Sequence, residues 1–206
     1  MVNLPWTKVI AEKVSPVNGR ISVVRSLGLG TYLQVEGLTQ SGGVVYEVWE
    51  TTLKKLRNKE IKNCLILGLG GGSAAKLAAR FWPKTIITGV DVDPIMIELG
   101  KKYLGLDKLK LKIVIGDAEK YLSAISYDLI LVDMYVGDKF PKKFESEAFL
   151  KQILGLLSGN GVAIFNRLYY GEKRPEAMKF GEKLEGIFSK VEYFYPEANV
   201  MLVCSK

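Results

Sequence analysis

The chain has 206 residues, 48% of them hydrophobic and 25% charged, and carries a formal charge of +7. That size and balance describe one core-bearing domain with a small appendage, and they exclude a disordered chain. No apolar run approaches the roughly 20 residues that span a bilayer, and the acidic and polar residues near the start argue against a secretory signal, so the cytoplasm is the expected location.

Residues 1–60 read as a small unit of their own. Ile21-Ser22-Val23-Val24 and Tyr32-Leu33-Gln34-Val35 are short β-like runs separated by Gly28-Leu29-Gly30, a hairpin pattern. Ser41-Gly42-Gly43 reads as a turn. Residues 46–57 then have helical character, with Val48, Trp49, Leu53 and Leu56 on related faces.

From residue 61 onward strands and helices alternate. Cys64-Leu65-Ile66-Leu67 is a continuous apolar run, as in a strand buried on both faces. A helix is predicted over 73–81 and a strand over 85–90. Asp93-Pro94 opens the next helix, with Asp as N-cap and Pro in the first turn. Strands are predicted over 111–115 and 128–132, and a helix over 147–157 that Ser158-Gly159-Asn160-Gly161 stops. A strand over 162–165 and a helix over 175–188 follow. Alternation of this kind implies a doubly wound α/β fold with a mostly parallel sheet. The last two runs, 191–195 and 200–204, are joined by only Pro196-Glu197-Ala198-Asn199, too short for a parallel crossover. They must form an antiparallel hairpin, which gives a seven-stranded sheet with a reversed C-terminal strand.

The chain has no histidine, which excludes Ser-His-Asp chemistry and His-ligated metals. A general base must be a carboxylate, Lys, Tyr or Cys. Cys64 and Cys204 fall in buried-strand runs with neither zinc-type nor disulfide spacing, so no metal site is expected. The Lys-rich stretches at 54–62, 101–112 and 139–143 could attract an anionic partner such as RNA. Solvated helix faces and loops are preferred, because no basic motif with interleaved aromatics is present.

The chemistry-bearing residues cluster at strand ends. Gly68, Gly70 and Gly72 form a turn between a buried strand and a helix, where a ligand can approach the backbone and free N–H groups. Asp91, about 20 residues further on, suits ribose hydroxyls, since Asp93 already serves as cap. Asp117 of Gly116-Asp117-Ala118 can accept from an adenine amino group or cap the short segment after it. Asp133 ends the strand beside the first, where an acid faces the reactive end of a ligand and can deprotonate an amine. The loop from Met134 to Asp138 could cover the site.

These residues resemble the spermidine synthase branch of the class I S-adenosylmethionine-dependent methyltransferase superfamily, from about residue 18 to the end. Leu65-Ile66-Leu67-Gly68-Leu69-Gly70-Gly71-Gly72 is similar to its cofactor loop, Val90-Asp91-Val92-Asp93-Pro94 to its ribose segment and Gly116-Asp117-Ala118 to its adenine segment. The run Tyr127 through Asp133 is similar to the strand that carries its catalytic acid, and Gln40 to a glutamine that reaches the cofactor. The resemblance implies S-adenosylmethionine or its decarboxylated form as cofactor, held by Gln40, Gly68, Gly70, Gly72, Asp91, Val92, Asp117 and Ala118. It implies Asp133 as catalytic base, Trp49 and Tyr135 on the substrate side, and a small amine as substrate. Members of the family are often dimers, and the N-terminal β unit could pair across a two-fold axis.

The resemblance also breaks. Gly71 stands where the family has an Asp that binds the aminopropyl ammonium and disfavours the carboxylated cofactor. Trp49 and Glu50 stand where it has a Tyr-His pair, and Val136 replaces an acid. Three readings follow: an aminopropyltransferase-like enzyme, a methyltransferase on another and even anionic substrate, or a cofactor-binding module without turnover.

Overall fold

The computed structural model describes residues 6–206. The first five residues of the expected N-terminal unit, part of the segment read for a leader, lie outside them.

Two sheets organise the chain. The first is antiparallel, in the order β1 (Lys8–Ser15), β2 (Gly19–Ser26), β3 (Gly30–Val35) and β4 (Leu38–Gly42). The expected hairpin is its centre, β2 with β3. The edge strand β1 escapes a pattern reading because most of its residues face water and its apolar positions do not alternate. The expected turn at Ser41-Gly42-Gly43 is instead the end of β4 and the start of α1 (Gly43–Leu53), with Gly42 at φ 78 making the change of direction.

The second sheet has seven strands: β5 (Asn63–Leu67), β6 (Ile86–Asp91), β7 (Leu111–Ile115), β8 (Tyr127–Val132), β9 (Leu157–Leu168), β10 (Lys190–Phe194) and β11 (Asn199–Ser205). Their spatial order is β10-β11-β9-β8-β5-β6-β7. Strands β5 to β9 pair in parallel, and β11 runs against both β9 and β10. The reversed last strand is therefore as expected. The segment Ser158–Gly161 does not end in a turn but lies inside β9, at a bulge where Tyr127 pairs with Leu157 and Leu129 with Val162. Glycine is needed there, since a Cβ at Gly161 would stand 2.8 Å from the Tyr127 carbonyl oxygen.

Helices cover both faces of this sheet. α1 and α2 (Ser73–Phe81) bury Trp49, Leu53, Leu77 and Ala78 against one face. α4 (Glu147–Leu156) and α5 (Lys173–Glu185) bury Phe149, Leu150, Phe180 and Leu184 against the other. Leu65, Ile66 and Leu67 are buried to within 1% of full coverage, so each contributes roughly 1.5–3 kcal/mol. α3 (Pro94–Leu104) starts as its sequence dictates: Asp93 accepts from the N–H groups of Ile95 and Met96, and Pro94 follows. Its outer face packs Met96, Leu99 and Leu104 on Ile21, Val23, Leu33 and Val35, which seats the antiparallel sheet over the ends of β5 and β6. No helix among the described residues is long and apolar enough to cross a membrane.

Candidate active site

A cavity of about 430 Å³ opens at the C-terminal ends of β5, β6, β7 and β8. This is the place where open α/β sheets bind ligands, and the volume lies in the range of small-molecule sites. Gln40, Gly68, Gly70, Asp91, Val92, Asp117, Ala118, Asp133 and Tyr135 all line it. Gly72 and Trp49, also expected at the ligand, do not.

Gly68 is fixed by the sheet itself. It has φ 85, and a Cβ there would stand 2.1 Å from the carbonyl oxygen of Asp133. The ends of β5 and β8 can therefore meet only around glycine, which brings the loop onto Asp133. Gly72 has a different task. It precedes α2 in the left-handed region, and its missing Cβ would collide with Leu106 rather than face the cavity. Gly71 also faces inward: a Cβ there would meet Leu104, Ser41 and Leu33. A side chain at this position would have to displace the ends of Leu104 and Leu33 and would stand beside Ser41, which lines the cavity.

Asp91 holds the loop. Its Oδ2 accepts from Gly70 N at 2.7 Å and its Oδ1 from Asp93 N at 2.8 Å. Burial raises its carboxyl above the ordinary value, and these backbone N–H groups offset part of that. Each oxygen keeps a second lone pair, so Asp91 can still accept from ligand hydroxyls. Asp93 is wholly committed, capping α3 and accepting from Ser15 Oγ and Asn18 Nδ2.

Asp117 caps the single turn Ala118–Lys120 through Glu119 N and also pairs with the Lys143 ammonium. Burial alone would raise its carboxyl. The Lys143 and Glu119 hydrogen bonds outweigh that and hold it below the usual value. Lys143 sits in the turn Lys142–Glu145 and lines the cavity as well. The sequence reading did not single it out.

Asp133 is half-buried at the end of β8, and both its oxygens are held. Trp49 Nε1 donates to Oδ2 at 2.7 Å and Asn166 Nδ2 donates to Oδ1 at 2.8 Å. Trp49 is itself fully buried, so the expectation of substrate contact is replaced by a positioning contact. Burial raises the Asp133 carboxyl, and the two neutral donors offset only part of the rise. The relay continues from Asn166 Oδ1 to Asn199 Nδ2 at 2.7 Å. Tyr135 donates to the Asn166 carbonyl at 3.3 Å and accepts from Leu168 N at 2.8 Å; burial pushes its phenol up. Gln40 Nε2 donates to the Gly137 carbonyl at 3.1 Å, which ties β4 to the loop after β8.

The lining is anionic although the chain is basic. Among the described residues, Asp91, Asp117, Asp133 and Glu197 line the cavity, against one cation, Lys143, which is paired with Asp117. Asn18, Asn166 and Lys143 escaped the sequence reading because each reaches the site through a partner far along the chain, and Glu197 because the turn between β10 and β11 brings it there.

Comparison with known proteins gives similarities on two sides. A family profile described as "Methyltransferase domain" matches residues 64–161. The polyamine aminopropyltransferase of Vibrio vulnificus is 30% identical over 138 residues, which cover 62% of this chain and 46% of that protein. Spermidine synthase from Thermotoga maritima superposes with a TM-score of 0.80 at 20% identity, covering 97% of this chain and 73% of that one. The chain has the fold shared by spermidine synthase and class I methyltransferases, and its sequence is similar to members of both groups. Other similarities lie on the methyltransferase side. The mouse eEF1A lysine and N-terminal methyltransferase is 27% identical over 170 residues, 74% of this chain and 24% of that protein. Human methyltransferase-like protein 13, solved in complex with SAH, superposes with a TM-score of 0.61 at 22% identity, covering 79% of each chain. The chain spans about a quarter to half of the length of the curated relatives named here.

Proposed function

We propose that the cavity binds S-adenosylmethionine or its decarboxylated form, and that the chain is a transferase acting on an amine with Asp133 as base. When bound, that group supplies a carbon activated by a positively charged sulfur. The donor set suits it. Asp91 offers acceptors for two ribose hydroxyls, Asp117 one for an exocyclic amine, and Val92 and Ala118 apolar flanks for a base. Gly68 and Gly70 allow close approach, and Gln40 reaches the same space.

The observation that carries the reading is Asp133. Its carboxylate is fixed by two neutral donors, is shifted upward by burial, and faces a cavity whose single lining cation among the described residues, Lys143, is already paired. A general base works best when its pKa lies near the working pH, and an anionic lining favours an amine over a phosphate-rich substrate. Asp133 would take the proton that the acceptor nitrogen loses as its new N–C bond forms and the carbon–sulfur bond breaks, the electron pair of that bond leaving on sulfur as a neutral thioether.

Methyl transfer is the second reading. It is favoured by the methyltransferase profile and by Gly71, which leaves the loop without a carboxylate to repel a carboxylated cofactor. Incubation with each cofactor form and 1,4-diaminobutane, read by mass spectrometry, separates the two by the mass added. In the same assay Asp133→Asn should lose at least about a hundredfold in turnover, with methylthioadenosine affinity within a few-fold of wild type. Turnover that survives the substitution removes Asp133 as the base.

A further inference from the structure

We propose that a second cavity, beside the glycine loop, binds a free apolar α-amino acid, with its carboxylate against Lys76 and its ammonium against Glu47.

This cavity, of about 290 Å³, lies where the turn between β2 and β3 meets the first turns of α1 and α2. Gly71 and Ser73 line it, and Ser73 lines the first cavity as well. Ser73 is held in place: its Oγ accepts from Gly42 N at 2.7 Å and shares a hydrogen bond with Ser41 Oγ at 2.9 Å. The volume falls just below the range of drug-sized ligands, which suits a single small molecule.

The charges in this cavity are Lys76 and Glu47, of opposite sign. Their side chains form no ion pair or hydrogen bond, with each other or with any other group, among the described residues. Lys76 is half-buried, and burial holds its ammonium below the ordinary lysine value. Lys108 beside it adds to that shift, and Asp107 offsets part of it. A bound carboxylate would relieve both costs. Gly43 opens α1 and lines the same space, and no carbonyl of the helix can satisfy its N–H. Glu47 stands one turn further along α1, exposed, where it can take an ammonium. Leu29 and Leu104 also line the cavity and give an apolar side chain its contacts. A simple anion would meet Glu47 and a simple amine would meet Lys76, so a zwitterion alone satisfies both.

The test is calorimetric titration of L-leucine and of two analogues with the same skeleton. One is 3-methylbutylamine, which lacks the carboxylate; the other is 4-methylpentanoate, which lacks the ammonium. L-Leucine should bind the wild type with a dissociation constant below about 1 mM, and each analogue at least about tenfold more weakly. Lys76→Met should weaken leucine binding at least about tenfold, and Glu47→Gln about two- to fivefold. Lys76→Arg, which keeps the charge, should stay within about threefold of wild type. An unchanged melting temperature reports an intact fold in each variant. No leucine binding by the wild type, an analogue that binds equally well, or variants that bind as the wild type does would overturn the proposal. So would an equal loss in Lys76→Arg and Lys76→Met, which would make Lys76 a packing residue.

Discussion

Trp49→Phe separates positioning of the acid from general packing. The variant removes the indole N–H that donates to Asp133 Oδ2 at 2.7 Å, inside a fully buried side chain. A hydrogen bond to a charged group is worth about 1.5–3 kcal/mol. The few tens of Å³ vacated, at about 24 cal/mol per Å³, add about 1 kcal/mol. The expected cost is therefore about 2.5–4 kcal/mol at pH 7, measured by chemical denaturation. Trp49 lowers a carboxyl that burial raises, so without it Asp133 moves further up. The cost should then be smaller at pH 4.5, where more of the group is protonated in either protein, by about 1–2 kcal/mol. In an activity assay the acid limb should move to higher pH. A cost that is equal at both pH values, or an unmoved limb, would show that Trp49 only fills space and would refute the positioning argument.

Asp133→Asn should gain in stability relative to wild type, in the ligand-free protein, as pH rises toward 7, read as the difference between their melting temperatures. The wild-type carboxyl is raised in the folded state, so its contribution is fullest below the unfolded carboxylate range and is lost as pH rises through the folded value. The gain of the variant should accordingly shrink on acidification; a gain that grows contradicts the shift. Lys143→Met should bind methylthioadenosine about two- to fivefold more tightly and with less salt dependence, because Lys143 now occupies the carboxylate meant for the base. Weaker binding in a calorimetric titration would place Lys143 among the contacts to the base instead.

Much of the fold follows from local chemistry. Buried parallel strands are continuous apolar runs, so Cys64 to Leu67 declared itself, and Asp93-Pro94 marked a helix start by capping rules that need no tertiary context. The strand-end acids were legible for the same reason, since topology places them at one edge. What was missed depends on partners far along the chain. β1 is an exposed edge strand without an apolar alternation, and the Ser158–Gly161 glycines serve a bulge although they have turn composition. Trp49 to Asp133 and Asn166 to Asn199 join residues 84 and 33 positions apart. Gly71 shows the limit most clearly: its place in the motif was legible, whereas the packing of Leu104, Ser41 and Leu33 around its absent Cβ was not.

The most direct measurement is a calorimetric titration of S-adenosylmethionine, its decarboxylated form and methylthioadenosine into the wild type and into Asp91→Asn. At least one of the three should bind the wild type with a dissociation constant in the micromolar range or below. Asp91→Asn should weaken that binding at least about tenfold, through the lost acceptors and the loosened Gly70 turn. No binding by any of the three, or binding that ignores Asp91, would contradict the assignment of this cavity.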